Sequence, residues 1–333
     1  MIKPIKLESP AKVNLRLEIL KRREDGYHEI RTIFQKISLH DTLHFSLKRG
    51  KGVRIRTDDP NLPTGRKNLV YQAVRTMLEK SGYQGGVEVL IEKKIPIGAG
   101  LGGGSSNAAA ALKALNELLN LNLCKKELMV TGTQIGADVP FFLLEGAAIG
   151  SGIGERLRKI TLPRLWYLLI NPDFEVSTRW AYQNFVLTRS TASSLTFEGE
   201  FKKGCAGSTL SPSAELGAES LSKAKPQHLC WEAEGLTKTK YHFNLHGLLK
   251  SSRGIYALLY NDLEGVVSAK YQEIALMKEM LLSSGARGAL MTGSGPTVFG
   301  LFSREKKATE AFKQLEEKVR GRGWRIFQAR SIP

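Results

Sequence analysis

With 333 residues and 42% hydrophobic content the chain can bury a real core, and at about 100 to 200 residues per domain it is expected to form two lobes. No stretch reaches the ~20 apolar residues of a membrane span, and Met1-Ile2-Lys3-Pro4 lacks the apolar run of a signal peptide, so a cytoplasmic protein without a membrane partner is expected. The formal charge of +17 would permit nucleic-acid binding, but the basic residues are spread along the chain, from Lys21-Arg22-Arg23 to Lys306-Lys307, and read as solvated surface with a bias toward anionic ligands.

Residues 11–19 alternate polar Lys12, Asn14, Arg16 and Glu18 with apolar Val13, Leu15, Leu17 and Ile19, which predicts a strand with one buried face and places Lys12 and Asn14 side by side. Residues 21–28 form a charged turn with the hairpin signal Asp25-Gly26, and 29–39 resume an extended pattern. Residues 43–47 and 53–57 read as short strands, 68–80 as a helix stopping near Gly82, and 86–91 as the strand that feeds a glycine loop.

That loop carries five glycines in seven residues, from Gly98 to Gly104, after Ile95-Pro96-Ile97, and runs directly into an alanine-rich helix. The glycines expose backbone N–H groups, and Ser105-Ser106-Asn107 offer cap-forming side chains at the predicted helix start, so orphan donors and dipole point into the loop, where phosphate fits. It lacks the Gly-Lys-Ser/Thr of a Walker loop and the downstream acidic residue of a dinucleotide fingerprint. Residues 125–135 predict a second helix, and Gly136-Ala137-Asp138-Val139-Pro140 places one carboxylate in apolar surroundings, where it needs a partner.

Pro163 marks the lobe boundary, giving 1–160 and 161–333. Residues 165–170 read as a strand, and Val176-Ser177-Thr178 as the cap of a helix through Tyr182 and Phe185. From about 190 to 240 serine, glycine and charge dominate, which predicts a loosely ordered insertion holding His228, Cys230 and Trp231. The three cysteines, Cys124, Cys205 and Cys230, have no metal-ligand spacing and suit a reducing compartment. A helical pattern then runs through Leu282, strands 287–291 and 297–302 flank Gly293-Ser294-Gly295, and a helix over 306–319 and a strand over 324–329 close the chain. This order predicts a small open sheet covered on one face by helices.

Phosphoryl transfer needs the nucleotide phosphates held by donors, a group that orients or deprotonates the attacking hydroxyl, and a cation against developing charge. Asp138 and Lys12 supply the last two, beside the phosphate loop and the second glycine turn.

The loop closely resembles that of the kinase superfamily containing galactokinase, homoserine kinase, mevalonate kinase and phosphomevalonate kinase. Pro10-Ala11-Lys12-Val13-Asn14-Leu15, Asp25-Gly26-Tyr27-His28, Gly136-Ala137-Asp138-Val139-Pro140-Phe141-Phe142, Asn261-Asp262-Leu263-Glu264 and Met291-Thr292-Gly293-Ser294-Gly295-Pro296 resemble one branch of it. That resemblance implies an α/β (α+β), two-lobed fold, with an N-terminal lobe like the second domain of ribosomal protein S5 and a ferredoxin-like C-terminal lobe. It implies an isoprenoid-precursor enzyme of the non-mevalonate route, which phosphorylates the 2-hydroxyl of a cytidine-diphosphate-linked substrate with ATP; a monomer or weak homodimer is expected. By the same resemblance Asp138 and Lys12 are catalytic, and Asn14, Tyr27, His28, Ser177, Thr178 and Tyr182 bind substrate, the two tyrosines stacking on cytosine and His28 reading its edge. Pro96, Gly98, Ala99, Gly100, Leu101, Gly102, Gly103, Gly104, Ser105, Ser106, Gly293, Ser294 and Gly295 bind ATP. The charge on ATP calls for Mg2+, for which Ser105 or Ser106 is the expected hydroxyl. Another kinase of the superfamily, and a basic nucleic-acid-binding protein, stay as alternatives.

Overall fold

The structure, a computed structural model, describes residues 3–186 and 251–333. The expected insertion at about 190–240, with Cys205, His228, Cys230 and Trp231, lies outside the described residues.

The first sheet is built on a long hairpin, β1 (Ile5–Arg22) against β2 (His28–Lys48). β2 is one continuous strand where two were expected. Its register against β1 slips between Pro10↔His40 and Ala11↔Ile37, so a bulge absorbs the residues that interrupt the sequence pattern. β3 (Gly52–Thr57) and β4 (Gly86–Glu92) extend the sheet beyond β2, and β5 (Ala147–Gly152) with β6 (Arg156–Ile160) pairs along the other half of β2. Helices α1 (Leu69–Ser81), α2 (Gly103–Leu118), α3 (Lys125–Ile135) and the short α4 (Val139–Leu143) bury their apolar faces on Phe34, Leu43, Phe45, Val87, Val89 and Ile91. α1 follows its sequence signals closely: Asn68 accepts from Val70 N at its start, and Gly82 ends it in the left-handed region.

The second lobe is a four-stranded antiparallel sheet, with strand β7 (Trp166–Asn171) central. α5 (Thr178–Gln183) and α6 (Ser252–Leu258) lead to β8 (Tyr260–Asn261). α7 (Asp262–Lys270) and α8 (Glu273–Ser283) divide the helical stretch expected to be continuous, because Tyr271 is extended. β9 (Gly288–Met291), β10 (Val298–Phe302), α9 (Glu305–Arg320) and β11 (Arg325–Arg330) complete it in the order β11-β7-β10-β9. β8 is the exception to a clean division, since it adds in parallel to β1 of the first sheet.

Val13 and Leu15 of β1 share a core with Leu165, Tyr167, Leu169, Phe299 and Leu301, so the lobes meet through packed apolar surface. The opposite face of β1 is buried too, against the expectation of a single buried face: Lys12, Asn14, Arg16 and Glu18 are all at most 8% exposed. Several of their polar atoms bond one another or nearby carbonyls, as between Arg16 and Glu18 at 2.5 Å and between Arg16 and the Leu258 carbonyl at 3.2 Å, while Arg16 Nε and Glu18 Oε2 have no hydrogen-bond partner among the described residues. No described helix is long and apolar enough to cross a membrane.

Candidate active site

The glycine loop runs beside β1, whose Lys12 N–H donates to the Leu101 carbonyl at 3.0 Å. α2 begins at Gly103, and its N-cap is Gly102, in the left-handed region with no side-chain capping bond. The caps expected from Ser105, Ser106 and Asn107 do not form, because these residues already lie inside the helix. A glycine cap leaves the orphan N–H groups of that turn to a ligand, and the helix dipole adds to their pull on an anion. Pro96, Ala99 and Leu101 are buried and carry the loop from beneath, whereas Gly98 and Gly104 are exposed. Ser106 is buried and accepts a 2.7 Å hydrogen bond from the Ser9 hydroxyl, so of the two expected metal-binding hydroxyls only the half-buried Ser105 stays accessible.

Lys12 is the hub. Its ammonium donates to Asn14 Oδ1 at 2.6 Å and to the Gly100 carbonyl at 3.0 Å, and lies 3.7 Å from Asp138 Oδ2. Burial pushes its pKa down, and the Asp138 charge and hydrogen bonding push back. The Lys12 side chain is 5% exposed and that of Asp138 31%, so the carboxylate faces the cleft while the ammonium is sealed behind it. Asp138 is the N-cap residue of α4 yet makes no capping bond, which leaves its carboxylate open to a substrate hydroxyl. Asn14 is committed at both ends, since its Nδ2 donates to Thr32 Oγ1 at 2.8 Å.

The second glycine turn closes on this hub. The Thr292 hydroxyl accepts from Asn14 N at 3.0 Å, and a Cβ on Gly293 would stand 3.3 Å from Lys12 Nζ. Ser294 Oγ meets Thr178 Oγ1 at 2.8 Å, and Ser177 caps α5 by accepting from Trp180 N at 3.3 Å. α5 stops at Gln183 rather than Phe185. Tyr182 on it comes within 5.4 Å of the His28 ring, centroid to centroid and tilted by 31°. Burial, then the charges of Asp138 and Asp262, drive the Tyr182 phenol well above its ordinary pKa, so it stays neutral. Burial and the nearby Arg22 lower that of His28. Tyr27 is 60% exposed and in ring contact with neither.

Known proteins resemble this chain over nearly its whole length. Residues 68–146 match the GHMP kinases N terminal domain, and 245–321 the GHMP kinases C terminal domain. A 4-diphosphocytidyl-2-C-methyl-D-erythritol kinase of Syntrophus aciditrophicus is 40% identical over 331 residues, covering 98% of this chain and 99% of that one. The chain belongs to the 4-diphosphocytidyl-2-C-methyl-D-erythritol kinase family. A second member, from Syntrophotalea carbinolica, is 37% identical over 97% of this chain and 98% of its own. A crystal structure of 4-(cytidine 5'-diphospho)-2C-methyl-D-erythritol kinase superposes with a TM-score of 0.70 at 31% identity, covering 99% of this chain and 100% of that one. A homoserine kinase from Cytophaga hutchinsonii, at 21% identity and TM-score 0.65 over 99% and 95% of the two chains, shares the fold. The two-lobed kinase fold is thus that of the family.

Two sets of residues hold the site together: Asp41, which the sequence did not single out, and the 261–264 stretch, which entered there only as a motif without a role. Asp41, fully buried, accepts from Lys94 N, Ile95 N and Asn107 Nδ2 at 2.8–2.9 Å and pairs with Lys93 at 2.8 Å, fastening the loop's lead-in to α2. The Asn261-Asp262-Leu263-Glu264 stretch is a brace. Asn261 Nδ2 donates to the Met291 and Gly293 carbonyls at 2.8 Å, Asp262 accepts from Ile19 N at 2.6 Å, and Glu264 accepts from Met291 N at 2.7 Å.

Proposed function

We propose that this protein transfers the γ-phosphoryl group of ATP to the 2-hydroxyl of 4-diphosphocytidyl-2-C-methyl-D-erythritol, with Asp138 receiving the hydroxyl proton. The observation that carries the reading is the Lys12–Asp138 pair, 3.7 Å apart, beside a helix start that no side chain caps. The hydroxyl oxygen bonds to the γ-phosphorus, the bond from that phosphorus to the β,γ-bridging oxygen breaks, ADP departs and Asp138 holds the proton. Lys12 keeps the loop and the carboxylate in register through Gly100. Mg2+ takes few protein ligands beside ATP and keeps waters, which suits a site with one accessible hydroxyl, Ser105, and no cluster of three carboxylate, His or Cys ligands among the described residues. Bound there, the ion would neutralise phosphate charge. Turnover is expected to stop in EDTA and return with Mg2+; full turnover in EDTA would leave that neutralisation to Lys12 and the loop.

Tyr182 and His28 form the proposed base pocket, and the exposed Tyr27 ring closes over the cytosine when substrate binds. Neutral imidazole can both donate and accept, as the cytosine edge requires. A lost buried base-reading bond is worth about 1–3 kcal/mol, so His28→Ala is expected to raise the KM for the cytidylyl substrate roughly 10- to 100-fold with the KM for ATP nearly unchanged. Because the His28 pKa is lowered, the same KM is expected to rise only at acid pH, below the usual imidazole range of about 6.5. A uridylyl analogue presents a donor at N3 and an acceptor at O4, so equal catalytic efficiency on both bases would overturn the pocket. A substrate panel read by ADP release tests the neighbouring kinase activities in the same assay.

A further inference from the structure

Lys36 on β2 is a buried lysine to which the reaction above gives no task. Its ammonium donates to the carbonyls of Phe142, at 3.0 Å, and Leu144, and Lys113 of α2 reaches the same Phe142 oxygen at 3.4 Å. These are the end groups of α4, a helix of five residues. So short a helix has more unpaired end groups than internal bonds, and its placement depends on what holds its ends. One end is the two-lysine clamp, and the other is Asp138. Between them, a Cβ on Gly102 would lie 2.9 Å from the Phe142 ring and 3.1 Å from the Lys12 stem, so all three meet there. Phe141 stacks on Phe34 at 4.8 Å, and Phe34 in turn lies 5.6 Å from Lys12 Nζ. Lys36 is thus joined to the reacting carboxylate through a single packed element.

We propose that Lys36 is a positioning residue for phosphoryl transfer: its ammonium, by holding the C-terminal carbonyls of α4, fixes Asp138 at the opposite end, and loss of its charge slackens that hold. The proposal rests on Asp138 acting at the substrate hydroxyl.

The clamp titrates near neutral pH. Burial, then the charges of Lys113 on α2, Lys125 on α3 and Lys159 on β6, opposed by Glu145 in the loop after α4, bring Lys36 down to about 7. The neutral amine keeps two N–H groups but loses the charge that attracts the end carbonyls. Turnover therefore falls as pH rises through that value. Stability moves the other way: an unfolded lysine titrates near about 10.4, so above about 7 the unfolded chain holds a proton that the folded chain has shed, and this site's contribution to stability rises with pH. A lysine that only packs would link the second effect to pH and leave turnover unmoved.

The test compares wild type with Lys36→Met and Lys36→Arg, measuring kcat, KM for ATP and urea unfolding from about pH 6 to about pH 9. Displacement of a reacting group by a fraction of an ångström costs about tenfold, so Lys36→Met is expected to turn over about tenfold more slowly at the acid end, with KM for ATP within about twofold. The ratio of wild-type to variant kcat should then narrow toward one at the alkaline end, while the stability difference shifts in favour of wild type. Lys36→Arg, charged throughout, should keep its rate where wild type loses it. A kcat ratio that stays constant across the range, or wild-type turnover in Lys36→Met, would overturn the proposal. Failure of the Asp138 reading would show instead as wild-type turnover in Asp138→Asn, so the two failures are told apart.

Discussion

Replacing Asp138 with Asn is expected to lower kcat by about 10² or more while leaving ATP affinity within a few-fold of wild type, because the amide matches the carboxylate in shape but takes no proton. The geometry says why binding is spared. The proposed phosphate donors belong to the glycine loop and the first turn of α2, and Asp138 bonds to neither. The side effect to separate is on Lys12, whose buried ammonium would lose the Asp138 carboxylate, 3.7 Å away, and keep its hydrogen bonds to Asn14 and the Gly100 carbonyl. Since that anion raises the Lys12 pKa against burial, the variant's lysine should deprotonate at lower pH than in wild type, which adds an alkaline loss of activity to the direct loss. Measuring kcat for Asp138→Asn, Lys12→Met and the double variant separates the two. Groups acting as one unit give strongly non-additive losses, so the double variant should be little worse than the poorer single one. Turnover of Asp138→Asn within a few-fold of wild type would place the proton elsewhere and reduce Asp138 to an ion-pair partner.

The parts of this site that were legible in the sequence are those whose signal is local. Alternation along β1 put Lys12 and Asn14 on one face, and the glycine spacing marked the loop without any knowledge of the fold. The start of α2 was misplaced for a definable reason. Ser105, Ser106 and Asn107 have the composition of a cap, but Gly102 can adopt the left-handed turn at φ +69° that the tight loop requires, and a side-chain cap would occupy the donors a phosphate needs. Asp41 and Lys36 were illegible because their partners lie at long sequence separation. Asp41 meets groups 52 to 66 residues away, and Lys36 a carbonyl 106 residues away. A lone polar residue in a strand pattern carries no mark of such a partner. The burial of the polar face of β1 escaped for the same reason, since its partners are remote in the chain: Gly100 and Asp138 for Lys12, Thr292 for Asn14 and Leu258 for Arg16.

Gly100→Ala is the second substitution expected to have a large effect, because two independent costs fall on the same carbon. Gly100 has φ +73°, where an L-residue is disfavoured by about 1–2 kcal/mol. Its Cβ would also stand 2.2 Å from the Thr292 carbonyl oxygen and 3.1 Å from the Gly295 backbone, and neither is the flexible end of a side chain. The turn cannot give way cheaply: Thr292 N bonds Thr297 O at 3.0 Å, Gly295 N bonds Thr292 O at 3.0 Å, and Asn261 holds the Met291 and Gly293 carbonyls. The loop must therefore move, carrying the Gly100 carbonyl away from Lys12 and the proposed phosphate donors away from Asp138. A shift of about 1 Å at such a site costs about 10² in rate, so kcat is expected to fall by about that factor together with a lower melting temperature. Gly265, exposed in α7 with nothing within 4 Å of an added Cβ, supplies the control. Its change to alanine should raise stability by up to about 1 kcal/mol through helix propensity alone and leave turnover unchanged. Wild-type kcat in Gly100→Ala would mean that the two glycine turns do not need to meet for phosphoryl transfer, and that their contact serves only the packing of one lobe on the other.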